Sequence, residues 1–191
     1  MITRKYPILY IDVDGVLRDH TAEFRALGHK EPTTYYDPEF KTFYDSKSAM
    51  KDTFSKYLRE APIIYGVKEA LGILKGFGLF DSIKILSSQW NPTAQEATME
   101  FLRYNKLKEF FNDIIFVSKG DDKIKVLNSN PGMLIDDRAL TMNKIKAPSA
   151  GIWISTHTDD IPIIKESPNV LLTSPSLFGI TIKLREFVKF L

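Results

Sequence analysis

Residues 8–17 read Ile8-Leu9-Tyr10-Ile11-Asp12-Val13-Asp14-Gly15-Val16-Leu17, and this stretch decides how the rest of the chain is read. The apolar run, extended here from Tyr6 to Val13, suits a central parallel strand buried on both faces. It ends in acid. Asp12 and Asp14 stand two apart, so on extended backbone they point to the same side, and Gly15 permits an abrupt turn after them. Similar short runs recur at Ile83 to Leu86, Ile114 to Val117, Met133 to Ile135, Ile152 to Ile154 and Val170 to Leu172. Helical patterns lie between them. Val67, Ala70, Leu71 and Leu74 form a stripe stopped by Gly76 and Gly78, and Asn91-Pro92 caps and opens a helix through Phe101 and Leu102. The alternation predicts an α/β fold: a doubly wound, Rossmann-like parallel sheet with helices on both faces and right-handed crossovers.

One interval breaks the rhythm. About 70 residues separate Asp14 from Ile83, far more than a crossover of roughly a dozen requires. Pro62 to Gly78 supplies the helix before the second strand, which leaves Leu17 to Ala61 as an inserted helical cap. The expected division is a core of residues 1–16 and 62–191 and a small cap of residues 17–61. The cap is rich in aromatics: Phe24, Tyr35, Tyr36, Phe40, Phe43, Tyr44, Phe54 and Tyr57. At the C-terminal end Ile180, Leu184, Phe187, Val188 and Leu191 keep helical spacing, a stripe expected to pack on the sheet.

Composition narrows the chemistry. The chain of 191 residues has no cysteine, which excludes thiolate catalysis, disulfides and a cysteine-based zinc site. Its three histidines, His20, His29 and His157, show no metal-ligand spacing. A net charge of +2 tolerates an anionic ligand but lacks the basic stripe that extended nucleic-acid binding needs. No apolar stretch approaches the ~20 residues that span a bilayer, and the first residues lack a signal-peptide core. The expectation is a cytoplasmic protein with no membrane partner.

In open α/β sheets, ligands bind beyond the carboxyl ends of the strands. Four predicted strand ends here carry polar residues: Asp12 and Asp14; Ser87-Ser88; Ser118-Lys119-Gly120-Asp121-Asp122-Lys123; and Asp136-Asp137. Two like charges ~4 Å apart repel by about 4 kcal/mol at an effective dielectric near 20. Carboxylates gathered at one rim therefore need a cation, and hard oxygen ligands favour Mg²⁺ or Ca²⁺. Mg²⁺ commonly keeps sites for water and substrate phosphate. A serine hydroxyl and a lysine ammonium nearby would complete a phosphate cradle. Taken singly, each element has a plainer reading: Asp-Gly as a turn, Asp136-Asp137 as a helix cap, Ser87 as a loop cap. Their joint order argues for shared chemistry.

Together Asp12-Val13-Asp14-Gly15-Val16, Ser87, Lys123 and Asp136-Asp137 resemble the four motifs of the haloacid dehalogenase superfamily, across the core domain. The resemblance implies a magnesium-dependent phosphomonoester hydrolase working through an aspartyl-phosphate. Asp12 would be nucleophile and metal ligand. Asp14 would be general acid and then base, its main-chain carbonyl also touching the metal. Ser87 would bind the transferring phosphoryl group, and Lys123 would neutralise phosphate and Asp12. Asp136 would bind Mg²⁺ directly, with Asp137 completing or supporting the site. The superfamily's dehalogenase and phosphonatase branches lack aspartate at the Asp14 position.

Two pairs compete. Lys119 rivals Lys123; Asp121-Asp122 as a helix start, with Ile124 and Leu127 carrying the next stripe, favours Lys123. Strand alternation lets only one of Ser87 and Ser88 face the phosphate, and Ser87 follows Leu86 at the strand end. The cap's size, the run from Glu60 to Ala70, and Leu134-Ile135-Asp136-Asp137-Arg138 resemble the 5'(3')-deoxyribonucleotidase branch. That resemblance implies a nucleoside monophosphate substrate, with Phe43 and Tyr44 as a base platform and Arg138 near phosphate or base. Packing within the cap is the plainer reading of any single ring. Trp90 follows the second motif closely enough to line the entrance. A sugar-phosphate phosphatase or phosphomutase, and a silent nucleotide- or protein-binding member, remain the alternatives.

Overall fold

The computed structural model describes residues 6–32, 37–155, 161, 164 and 167–183. Six strands form one parallel sheet: β1 (Ile8–Ile11), β2 (Ser82–Ser88), β3 (Asp113–Val117), β4 (Met133–Asp136), β5 (Ala150–Ile154) and β6 (Val170–Ser174), in the order β3-β2-β1-β4-β5-β6. The winding reverses at β1, which pairs with both β2 and β4. Ligands bind at such a reversal.

Side-chain alternation sorts the core into two layers. Leu9, Ile11, Met133, Ile135 and Ile152 face one side, covered by α4 (Val67–Gly76), α5 (Pro92–Tyr104) and α8 (Leu177–Ile182). Tyr10, Leu134 and Trp153 face the other, covered by α6 (Asp122–Ser129) and α7 (Ala139–Met142). The helix signals act as chemistry dictates. The Asn91 side chain accepts from the Ala94 N–H at 2.8 Å, with Pro92 in the first turn of α5. Beyond α4 the chain turns through Gly78 at φ +57°.

β1 is shorter than its apolar run. After Ile11 the Asp12 N–H still bonds the Ile135 carbonyl, at 2.9 Å. The Val13 carbonyl then collects the N–H groups of Leu17 at 2.8 Å and Arg18 at 2.9 Å. That turn ends pairing just beyond Asp12.

Among its described residues the long interval before α4 carries three helices: α1 (Ala22–Ala26), α2 (Pro38–Ser48) and α3 (Lys51–Glu60). Asp37 caps α2, accepting from the N–H groups of Glu39 and Phe40 at 2.9 and 3.0 Å. From α3, Phe54, Tyr57 and Leu58 pack on Ala94 and Ala97 of α5. The outgoing and returning chain run side by side: the Asp19 N–H bonds the Pro62 carbonyl and the Ile64 N–H the Leu17 carbonyl, each at 2.9 Å. Ile180 of the C-terminal stripe is buried in α8, whereas Leu184, Phe187, Val188 and Leu191 lie outside the described residues, as do Tyr35, Tyr36 and His157. No helix among the described residues is long and apolar enough to cross a membrane.

Candidate active site

The acidic side chains of β1 and β4 meet. Carboxylate oxygens of Asp12, Asp136 and Asp137 lie within 4.8 Å of one another, although more than a hundred residues separate the two strand ends. Lys123, in the first turn of α6, is buried between them and donates to Asp12 Oδ2 at 2.5 Å and Asp136 Oδ2 at 2.8 Å. Lys119 is exposed. Backbone fixes the carboxylates further: the Val13 N–H donates to Asp12 Oδ1 at 2.7 Å and the Arg138 N–H to Asp136 Oδ1 at 2.8 Å. The Trp153 indole N–H anchors the Asp137 carbonyl at 2.8 Å.

Gly15 makes room for this packing. Its φ is +71°, and a Cβ there would lie 1.9 Å from Asp137 Oδ2. That same oxygen is buried without a hydrogen-bond partner among the described residues. An orphaned carboxylate oxygen at this depth is costly. Three carboxylates against one ammonium leave two negative charges if all are ionised, the complement of one divalent ion. The residues fit Mg²⁺.

Electrostatics separates the acids. Burial pushes Asp12 up to about 6, against the pull of Lys123 and with help from the Asp136 charge. Burial, then the neighbouring Asp136 and Asp12 charges, raises Asp137 well above the usual carboxylate range. Burial would also raise Asp14, but the Arg18 guanidinium, with His20 and Gln89, overrides it and draws Asp14 down to about 2. Lys123 is raised: burial opposes its charge, and Asp12 and Asp136 outweigh burial.

A cavity of about 280 Å³ opens above the cluster. Asp12, Asp14, Asp137 and Lys123 line its floor, joined by Ser87 and Ser88. Ser87 is buried and accepts from Gln89 Nε2 at 3.3 Å, while Ser88 is half-buried. Arg138 crosses beside Gly120, where a Cβ would meet its guanidinium at 2.1 Å; both line the cavity. Trp90, 56% exposed, lies at the opening with its ring 6.3 Å from that of Phe54.

Helix α2 supplies the opposite wall through Phe40, Lys41, Tyr44 and Asp45, which share one face at helical spacing. Tyr44 thus reaches the cavity. Phe43 does not line it: its place on the turn sends its ring between Phe24, centroid 5.4 Å away, and Tyr57, 5.8 Å away. Four contributors had no reading from sequence: Arg18, Gln89, His20 and the Phe40 face of α2. The signal for Arg18 was available, a cation four residues past Asp14 beyond a glycine turn.

The sequence matches no family model and no curated protein. Solved structures do match. A haloacid dehalogenase-like family hydrolase from Streptococcus pneumoniae superposes with a TM-score of 0.59 at 16% identity, over 98% of this chain and 99% of that one. A magnesium-bound protein of Bacillus subtilis, described as a HAD-hydrolase, gives 0.60 at 16% over 94% and 99%. A HAD family hydrolase from Deinococcus radiodurans with bound phosphate and sodium gives 0.61 at 15% over 96% and 97%. At such identities the likeness establishes the fold. This chain shares the α/β fold of those haloacid dehalogenase-like proteins, with an acidic cluster at its strand rim.

Proposed function

We propose that the chain is a haloacid dehalogenase-superfamily phosphatase: a magnesium-dependent phosphomonoester hydrolase acting through an aspartyl-phosphate on Asp12. Its substrates in this reading are nucleoside or deoxynucleoside monophosphates of the cytoplasm, with residues 17–61 as a cap over a catalytic core of 1–16 and 62–191. One observation carries it. Asp12, Asp136, Asp137 and Lys123 converge in one buried cluster under a cavity that Asp14 also lines. Aspartate at position 14 supports phosphoryl chemistry over dehalogenation, because the dehalogenase branch lacks it. The neighbours bound to magnesium and to phosphate are consistent with that choice.

At neutral pH a carboxylate titrating at about 6 is mostly ionised, so Asp12 is available as a nucleophile. An Asp12 oxygen attacks phosphorus, the bond to the leaving oxygen breaks, and Asp14 gives that oxygen a proton. Water then attacks the acyl-phosphate, Asp14 takes the water's proton, and inorganic phosphate leaves with Asp12 restored. Asp14 stands ionised at rest, which suits the second half. The negative charge of an incoming phosphate raises its proton affinity for the first. Ser87 and Lys123 hold the phosphoryl oxygens. Asp12, Asp136 and Asp137 would hold Mg²⁺, which supplies charge neutralisation to those oxygens. Tyr44 and Phe40 offer faces for a base, and Arg138 a cation for phosphate or base.

The test is a panel of nucleoside 5'- and 3'-monophosphates and sugar phosphates, with released phosphate measured in Mg²⁺. Turnover of nucleotides is expected. Turnover confined to sugar phosphates would retire the nucleotidase reading while keeping the phosphatase.

A further inference from the structure

Arg18 is fully buried, yet the reaction outlined above gives it no part. A buried guanidinium needs both a counter-charge and partners for its N–H fork. Nε donates to Asp14 Oδ1 at 2.7 Å and one terminal nitrogen to Asp14 Oδ2 at 3.1 Å, a two-pronged grip on the carboxylate. That nitrogen also reaches Thr98 Oγ1 of α5 at 3.3 Å, and its twin donates to the Leu58 carbonyl of α3 at 2.9 Å. The guanidinium lies 5.2 Å from the centroid of the Phe101 ring. The Arg18 backbone bridges Ile63, where the chain returns from α3.

One side chain thus joins the loop after β1, the last turn of α3 and the inner face of α5. Asp14 itself stands at the start of a tight turn and its side chain is 26% exposed, with Gln89 Nε2 donating to it at 3.1 Å. A short carboxylate so placed, if released by Arg18, would keep the Gln89 donor on one oxygen only and gain freedom to rotate.

We propose that Arg18 is a positioning residue: its fork fixes the Asp14 carboxylate at the cavity wall, and its bond to Leu58 ties that placement to the seating of α3. The inference rests on the proposed function, in which Asp14 handles the proton of the leaving alcohol. It assigns to the junction between cap and core a direct influence on the group that handles this proton.

The experiment compares two leaving groups by kcat/KM, which reports the steps through departure of the alcohol. The substrates are p-nitrophenyl phosphate, whose phenolate departs without a proton, and thymidine 5'-monophosphate, or β-glycerophosphate if no nucleotide is turned over. Arg18→Met keeps an apolar stem and removes the fork. It is expected to lower kcat/KM on the alkyl phosphate by about 10²-fold, the lower end of general-acid contributions, and on the aryl phosphate by less than about fivefold. Arg18→Lys should recover little, because an ammonium cannot make the two-pronged contact. In an Asp14→Asn background Arg18→Met should add nothing on the alkyl phosphate. If Arg18→Met does not fold, Thr98→Val loosens the same fork and should show a smaller loss with the same leaving-group bias. Equal losses on both substrates in a folded variant, or none, would overturn the inference while leaving the phosphatase reading intact. A wild-type protein inactive on every monophosphate would instead remove the reading beneath it.

Discussion

Two regions of one loop treat the same residue type in opposite ways. At the strand rim, Asp12 is buried with Asp136 and Asp137 against the Lys123 ammonium, and it is pushed up to about 6. Two residues on, where the insertion leaves the core, Arg18 answers Asp14 charge for charge and draws it down to about 2. The difference teaches what each region is for. An under-neutralised cluster with an orphaned oxygen is built to receive positive charge, whereas a satisfied pair is built to hold one group in place. Acids driven apart in this way are what the proposed division between nucleophile and acid–base group requires.

The largest expected effect lies at the rim. Asp12→Asn should cost at least roughly 10⁴ in kcat on any substrate the panel finds, with the fold kept by circular dichroism. Persistent activity would contradict the nucleophile assignment. Next comes the contrast between two lysines four apart. Lys123→Ala should cost about 10²-fold or more in kcat/KM, since it strips the cation from two buried carboxylates. Lys119→Ala should stay within about twofold, as expected of an exposed residue.

Linkage sharpens the comparison further. The folded Asp12 takes up its proton at about 6 against an ordinary 3.8, so in the absence of cation stability falls as pH rises through that window. Asp14 works the other way: its contribution is present above the ordinary carboxylate range and is lost as pH falls towards 2. Mg²⁺ should therefore raise the melting temperature more at about pH 7.5 than at about pH 5, by several degrees. An equal response at both pH values would count against the rim as the cation site. The smallest effect separates two cap rings. Tyr44→Ala and Phe43→Ala should both lower the melting temperature, since Tyr44 packs on Phe54 and Tyr57 and Phe43 on Phe24 and Tyr57. Tyr44→Ala, at the cavity wall, should also raise KM for nucleotides about tenfold, whereas Phe43→Ala should leave KM within about twofold.

Much of this was legible in the residues. Each strand among the described residues begins and ends within two residues of its apolar run, β1 being the one that falls short of its run at both ends, with the turn on the Val13 carbonyl following it. Strand ends are readable because burial on both faces demands continuous hydrophobicity, and the polar residue that follows is conspicuous. Asn91-Pro92 announced a helix start through local capping that needs no tertiary partner, whereas Asp121-Asp122 marks the start of α6 without a side-chain cap, the Asp121 carboxylate pairing with Lys144 instead. The cap resisted reading for a physical reason. Phe40, Phe43 and Tyr44 stand at i, i+3 and i+4 on one stripe of α2, so periodicity groups them without saying which ring faces the cavity; packing against Phe24 and Tyr57 decides it. Arg18 was legible in part: its spacing to Asp14 could be read, its further partners could not. Its partners Leu58 and Thr98 lie 40 and 80 residues away, and no spacing in the sequence brings them together.

The most direct test is a crystal structure of the protein with Mg²⁺ and beryllofluoride. Beryllium bonded to an Asp12 oxygen, with Mg²⁺ contacting Asp12 and Asp136 and Lys123 beside the fluorides, is the result the account requires. Beryllofluoride seated away from Asp12, or a magnesium ion bound without Asp12 and Asp136, would contradict it.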